Sequence, residues 1–163
     1  LLTLKPQIYV LNVDEEYLSK KSEQKLPKGL EDAIVICAKL EAELADFDKN
    51  ERESYLKELG IEHSGLDKLI KKGYEILGLS TFFTAGPKEV RAWTIKKGSK
   101  APQAAGEIHT DFERGFISAE IINYETLVEI GSLKTAKEKG LIRLEGKDYV
   151  MQDGDVAVFR FSV

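Results

Sequence analysis

Two short β-prone runs bracket a charged stretch: residues 7–13 read Gln-Ile-Tyr-Val-Leu-Asn-Val, and residues 33–37 read Ala-Ile-Val-Ile-Cys. Both are short and nearly continuous in their apolar character, which suits strands covered on two faces in a parallel sheet. The stretch between them, Glu15 to Lys25, reads as a helix closed by Pro27 and Gly29. Strand, helix, strand is a βαβ unit, and in an open sheet its functional end lies at the carboxyl ends of the strands. Those ends are Asn12-Val13-Asp14-Glu15 and Cys37-Ala38-Lys39.

The chain then turns helical. Leu40, Leu44 and Phe47 recur at helical spacing. Asp48 with Glu51 has the spacing of a capping box, which starts a helix running past Tyr55, Leu56 and Leu59 to Gly60. Ser64 can cap another, with Leu66, Leu69, Ile70 and Leu77 expected on its buried side. Beyond Ser80 the texture is mixed. Glu89 to Ile95 alternates, placing Arg91, Trp93 and Ile95 on one side of a strand and Val90, Ala92 and Thr94 on the other. A helix is expected over 101–108 with Pro102 in its first turn, a turn at His109-Thr110-Asp111 capped by the Asp, and a strand over 116–122. Two short helices over 125–130 and 132–139 and strands near 142–145 and 156–161 complete the pattern. The expected organisation is α/β over residues 1–79 and a separate α+β domain over residues 80–163.

Charge separates the same halves. Residues 1–79 carry 12 basic and 16 acidic side chains and residues 80–163 carry 12 of each, for a net charge of −4. The acidic first half is a poor nucleic-acid surface. In the second half Lys88, Arg91, Lys96, Lys97 and Lys100 cluster on and beside a strand that carries Trp93, which is the pattern of an RNA-binding or partner-binding face, or of a solvated strand face. Trp93 itself reads as core. The single cysteine excludes an internal disulfide and suits a reducing, cytoplasmic setting. Cys37, His63 and His109 lack metal-ligand spacing, and no nucleophile–histidine arrangement is readable. The longest apolar run, Ile8 to Leu11, is far below the ~20 residues of a membrane span. The opening residues, Leu1-Leu2-Thr3-Leu4-Lys5-Pro6, read as mid-domain sequence, so a piece of a longer chain is expected.

The sequence holds neither G-x-x-x-x-G-K-[ST] nor G-x-G-x-x-G. Asn12 to Glu15 and Cys37 to Lys39 nevertheless resemble a base-reading site. In translation-factor-class P-loop GTPases, Asn-Lys-x-Asp at one strand end and Ser-Ala-Lys at the next hold the base. Here Val13 stands in the Lys position, Glu15 in the Asp position and Cys37-Ala38-Lys39 in place of Ser-Ala-Lys. Asn-x-x-Glu preceded by Leu-Thr-Leu-Lys-Pro resembles the YchF family, the Obg-related P-loop NTPases with a preference for adenine. The similarity continues through Lys39 to Leu44, Ser64 to Leu66, Thr81 to Thr94 and Lys100 to Phe116, the last block resembling a TGS domain of the β-grasp, ubiquitin-like kind.

This resemblance implies the C-terminal part of a P-loop, Rossmann-like nucleotide domain followed by a TGS domain. It implies ATP or GTP as the nucleotide, with Asn12, Val13, Glu15, Cys37, Ala38 and Lys39 at its base. Mg2+ would be held by residues that lie outside this chain in the family. It further implies slow hydrolysis by a longer parent, a ribosome or RNA partner, and possible protein partners. Physics bears on specificity: a carboxylate one methylene longer than Asp overshoots the N1–H and 2-amino edge of guanine, and such mispairing forfeits about 1–3 kcal/mol. Two other readings are a non-enzymatic RNA- or protein-interaction module, and a guanine-specific TGS-containing GTPase, which Glu15 and Val13 disfavour.

Overall fold

The computed structural model describes residues 4–19, 26–86 and 89–162. The chain divides into two compact units, Leu1–Leu77 and Gly78–Val163.

In the first unit β1 (Val10–Asn12) and β2 (Ile34–Ile36) pair in parallel, with Asn12 opposite Ile36. The strands are shorter than the apolar runs predict. They are also less covered: Val10 is 42% exposed and β2 is only half-buried, because this sheet has just two strands. Helix α1 (Glu15–Ser19) follows β1, and residues 20–25 of the expected helix lie outside the described residues. Helix α2 (Ala38–Ala45) buries Leu40 and Leu44 as its periodicity demands, whereas Phe47 lies beyond it, edge-on to Tyr55 at 5.4 Å.

Helix α3 (Lys49–Glu58) opens on the expected capping box, with Asp48 accepting from Asn50 N–H and Glu51 N–H and Glu51 accepting from Asp48 N–H. Helix α4 (Gly65–Leu77) is capped reciprocally, Ser64 Oγ accepting from Asp67 N–H and Asp67 from Ser64 N–H. The expected buried side of α4 is a correction: Leu66, Ile70 and Leu77 are 45%, 50% and 70% exposed. Within this unit the helix packs on β2, where Gly65 lies so close that an added Cβ would stand 2.5 Å from Ile36 Cγ2.

The second unit is a five-stranded sheet in the order β4-β3-β7-β5-β6. Its strands are β3 (Leu79–Ala85), β4 (Val90–Lys96), β5 (Phe116–Asn123), β6 (Arg143–Glu145) and β7 (Asp155–Phe161). β3 and β4 form an antiparallel hairpin, and β7 enters the middle, parallel to β3 and antiparallel to β5. Helix α5 (Ala101–Ile108), with Pro102 in its first turn, lays Ala101, Ala104 and Ala105 against Phe82, Ile95, Phe116, Ala119, Ile121, Met151 and Ala157. Three alanines at i, i+3 and i+4 let the helix approach the sheet closely. Helices α7 (Tyr124–Ile130) and α8 (Leu133–Glu138) cover Ile122 and Val156, with Phe83 in the same cluster.

Two local expectations differ. β3 was not apparent in the sequence because Phe82 and Phe83 are adjacent, and the structure uses both: one joins the α5 cluster and the other the α7–α8 cluster. Residues 109–111 open a short helix, α6 (Thr110–Arg114), whose cap is His109 Nδ1 accepting from Asp111 N–H at 3.2 Å, not the Asp.

Candidate functional site

The turn after β1 and the start of α2 lie side by side because β1 and β2 are parallel neighbours. Val13 N–H extends the ladder to Ile36 O at 2.8 Å. Asn12 Oδ1 accepts from Ala38 N–H at 3.0 Å, tying the first strand end to the first turn of α2. That contact occupies the amide oxygen and leaves the Asn12 amide group as the donor toward a ligand. Asp14 caps the following turn, accepting from Tyr17 N–H at 2.8 Å. Cys37 is 2% exposed and belongs to the core with Leu40, Leu44 and Leu56, so it contributes backbone and not thiol chemistry.

Glu15 has a partner that sequence reasoning missed. Lys39 Nζ lies 3.0 Å from Glu15 Oε1 and 3.7 Å from Glu43 Oε1. The hydrogen bond to Glu15, reinforced by the charges of Glu15 and Glu43, raises the Lys39 pKa above its ordinary value. Opposite charges at two adjacent strand ends were the available signal. Asn12, Val13, Asp14, Glu15, Tyr17, Cys37 and Lys39 line an open cleft of about 810 Å³. The arrangement can hold a planar group carrying both hydrogen-bond donors and acceptors. Among the described residues no His, Cys, Asp and Glu side chains converge to hold a metal ion, so no magnesium site is assigned to them.

The basic cluster is dispersed across the second unit. Lys88 lies outside the described residues. Arg91 shares the α5 side of the sheet with Trp93, its guanidinium carbon 4.1 Å from the ring centroid. Lys96 is paired in register with Leu79 on the opposite face, and Lys97 occupies the turn that follows. Lys100 is neutralised by Asp148 at 2.7 Å. Among the described residues Arg91, Lys96 and Lys97 have no carboxylate partner. Trp93 is half-buried, near-parallel to Phe82 at 6.4 Å, and donates from Nε1 to Thr84 Oγ1 at 2.9 Å.

Among the described residues no helix is long and apolar enough to cross a membrane. Residues 79–162 match the family model described as YchF-GTPase_C, protein of unknown function (DUF933). The chain is 54% identical to "Ribosome-binding ATPase YchF" of Bacillus subtilis, a match covering 100% of the chain and 47% of that protein. It is 46% identical to "Obg-like ATPase 1" of Pongo abelii, covering 99% of the chain and 43% of that protein. Among solved structures, the Schizosaccharomyces pombe YchF GTPase superposes with a TM-score of 0.82 at 38% identity, over 98% of this chain and 44% of that one. A GTP-binding protein from Pyrococcus horikoshii, at TM-score 0.53 and 20% identity over 80% of this chain and 37% of that one, shares the fold. The chain spans about half the length of the curated relatives it matches.

Proposed function

The chain belongs to the YchF family, and from that premise we propose that it supplies two parts of a ribosome-associated, cytoplasmic P-loop NTPase: the base-reading end of the nucleotide domain, within residues 1–79, and a β-grasp TGS domain, within residues 80–163. The observation that carries the first part is the tie between Asn12 Oδ1 and Ala38 N–H, which aligns two polar strand ends around one cleft. Asn12 donates to the base, Glu15 accepts from an exocyclic amino group, and Lys39 holds the Glu15 carboxylate in place. ATP is the expected nucleotide and GTP the weaker one, since Glu15 is poorly placed for the guanine edge. Val13 leaves the flank of the site apolar.

Support for the second part is the sheet order, in which the last strand enters between β3 and β5 and runs parallel to β3 while α5 packs across the sheet. Arg91, Lys96 and Lys97, without carboxylate partners among the described residues, support this half as the RNA- or ribosome-facing one. Lys100, ion-paired to the exposed Asp148, would have to exchange that partner to meet a phosphate.

Co-sedimentation of the chain with ribosomes across a salt series tests the reading. If Lys96 and Lys97 each meet a phosphate, Lys96→Glu with Lys97→Glu lowers binding and makes the salt slope shallower by up to about two units. Binding and slope equal to wild type return these lysines to a solvated strand face. The non-enzymatic module remains the second reading, favoured if the chain binds RNA or a protein while longer relatives carrying Asn12→Ala bind nucleotide as tightly as before.

A further inference from the structure

Arg91 rests on an aromatic ring without a carboxylate partner among the described residues, whereas Arg143, which also lies over a ring, that of Tyr149 at 5.4 Å, is tied to Glu145 and Asp155 as well. The Arg91 guanidinium lies 4.1 Å from the centroid of the Trp93 ring, within cation–π range. The indole is fixed in turn. Nε1–H donates to Thr84 Oγ1 on the neighbouring strand, and the ring runs near-parallel to Phe82, which is fully buried. The flexible end of an exposed arginine is therefore braced on a rigid aromatic surface rooted in the core, and the ordering cost of presenting it is largely met before a ligand arrives. A guanidinium held by one of its faces offers the other face as a plane, and unpaired nucleobases stack on such planes. Lys96 lies five residues further along the same strand, about 17 Å away and on the opposite face of the sheet, and Lys97 follows it in the turn at the strand's end. Both are exposed.

We propose that Arg91, braced on Trp93, is a stacking platform for an unpaired nucleobase of single-stranded RNA whose backbone continues toward Lys97 in the turn after the strand. The inference deepens the RNA-binding reading above and rests on it. Duplex RNA fits the arrangement less well, because its bases are already stacked and its strands present phosphates and grooves. An acidic peptide would engage the N–H edge of the guanidinium and make no use of its face.

The test compares a dye-labelled oligoadenylate, an abasic oligomer of the same length and phosphate charge, and an RNA duplex, by anisotropy, with the whole chain. The variants are Arg91→Lys, which keeps the charge and removes the plane, and Lys97→Ala. Arg91→Lys is expected to weaken oligoadenylate binding roughly tenfold while leaving the abasic oligomer within about twofold. Lys97→Ala is expected to weaken both oligomers alike and to flatten the salt dependence of both. Because Trp93 is the one tryptophan in the sequence, its emission should change with oligoadenylate and stay constant with the abasic oligomer. RNA binding that is equal for Arg91→Lys and wild type, or equal for oligoadenylate and abasic oligomer, overturns the platform and leaves the RNA-binding reading standing. Absence of binding to any of the three RNAs at low salt overturns both. Polyglutamate competing as well as oligoadenylate, with Arg91→Lys indifferent, overturns the platform in favour of an acidic protein surface.

Discussion

Shortening Glu15 by one methylene withdraws its carboxylate from Lys39 and from the far side of the cleft at the same time. In a chain of the relatives' length, Glu15→Asp with Val13→Lys is therefore expected to raise the GTP-to-ATP affinity ratio. The shorter acid meets the guanine edge, and the lysine stem packs along the base. Competition binding measures the ratio, and an unchanged value assigns specificity to the backbone of residues 37–39. A second residue-scale expectation concerns Tyr149. Burial, then its hydrogen bond to Asp155 Oδ2 at 2.8 Å, pushes its pKa up to about 12 from 10. The folded state thus favours the protonated phenol. The associated stability is complete below about pH 10, declines as the pH rises toward 12, and is gone above it. Denaturant titrations at pH 9 and 11.5 should show a larger drop for wild type than for Tyr149→Phe. Equal drops would mean that the phenol is not held neutral by this contact.

At the scale of elements, Gly115, between α6 and β5, packs closely against the residue that follows β7. Gly115 N–H donates to Asp111 O and its carbonyl accepts from Ser162 N–H, each at 2.9 Å, and Phe112 stacks on Phe161 at 3.8 Å. A Cβ on Gly115 would collide with the Ser162 carbonyl, whose carbon would lie 2.8 Å away. Gly115→Ala should then cost about 1–3 kcal/mol, read as a lower urea midpoint, and a midpoint equal to wild type would show that the contact opens freely. Sequence legibility follows the same local logic. The α3 capping box, the Ser64 cap, the first turn of α5 with its Pro102 and the alternation of β4 were readable because each is decided within a few residues. β3 was not, since two apolar clusters on opposite faces of the sheet claim Phe82 and Phe83. The exposed side of α4 was not either: periodicity marks an apolar stripe without saying what covers it. In the cleft, the residues at the strand ends were legible from spacing and resemblance, but the Glu15–Lys39 pair joins positions whose approach only the parallel pairing of β1 with β2 creates.

Taken as a whole molecule, the chain combines the cleft proposed to read a base with no phosphate-loop motif anywhere in its sequence. Without that motif, whose backbone N–H groups and lysine hold the phosphates, no magnesium-dependent phosphate release above buffer is expected from it, and release from a preparation free of contaminating ATPase would overturn this. The two units should also differ in stability. The first rests on a core of Cys37, Leu40, Leu44 and Leu56 and on a sheet of two three-residue strands, a kind of sheet that is marginal without further cover. The second has five paired strands with buried clusters that include side chains from both of its faces. The sequence supplies a private reporter for each: Cys37, its one thiol, is 2% exposed in the first unit, and Trp93, its one tryptophan, lies in the second. In a urea series under reducing conditions, Cys37 should become reactive toward a thiol reagent at a lower concentration than that at which Trp93 emission shifts. The Trp93 transition should be reproduced by residues 78–163 expressed alone. Coincident transitions for the two reporters, or a Trp93 midpoint that falls when the first 77 residues are removed, would mean that the chain unfolds as one cooperative body.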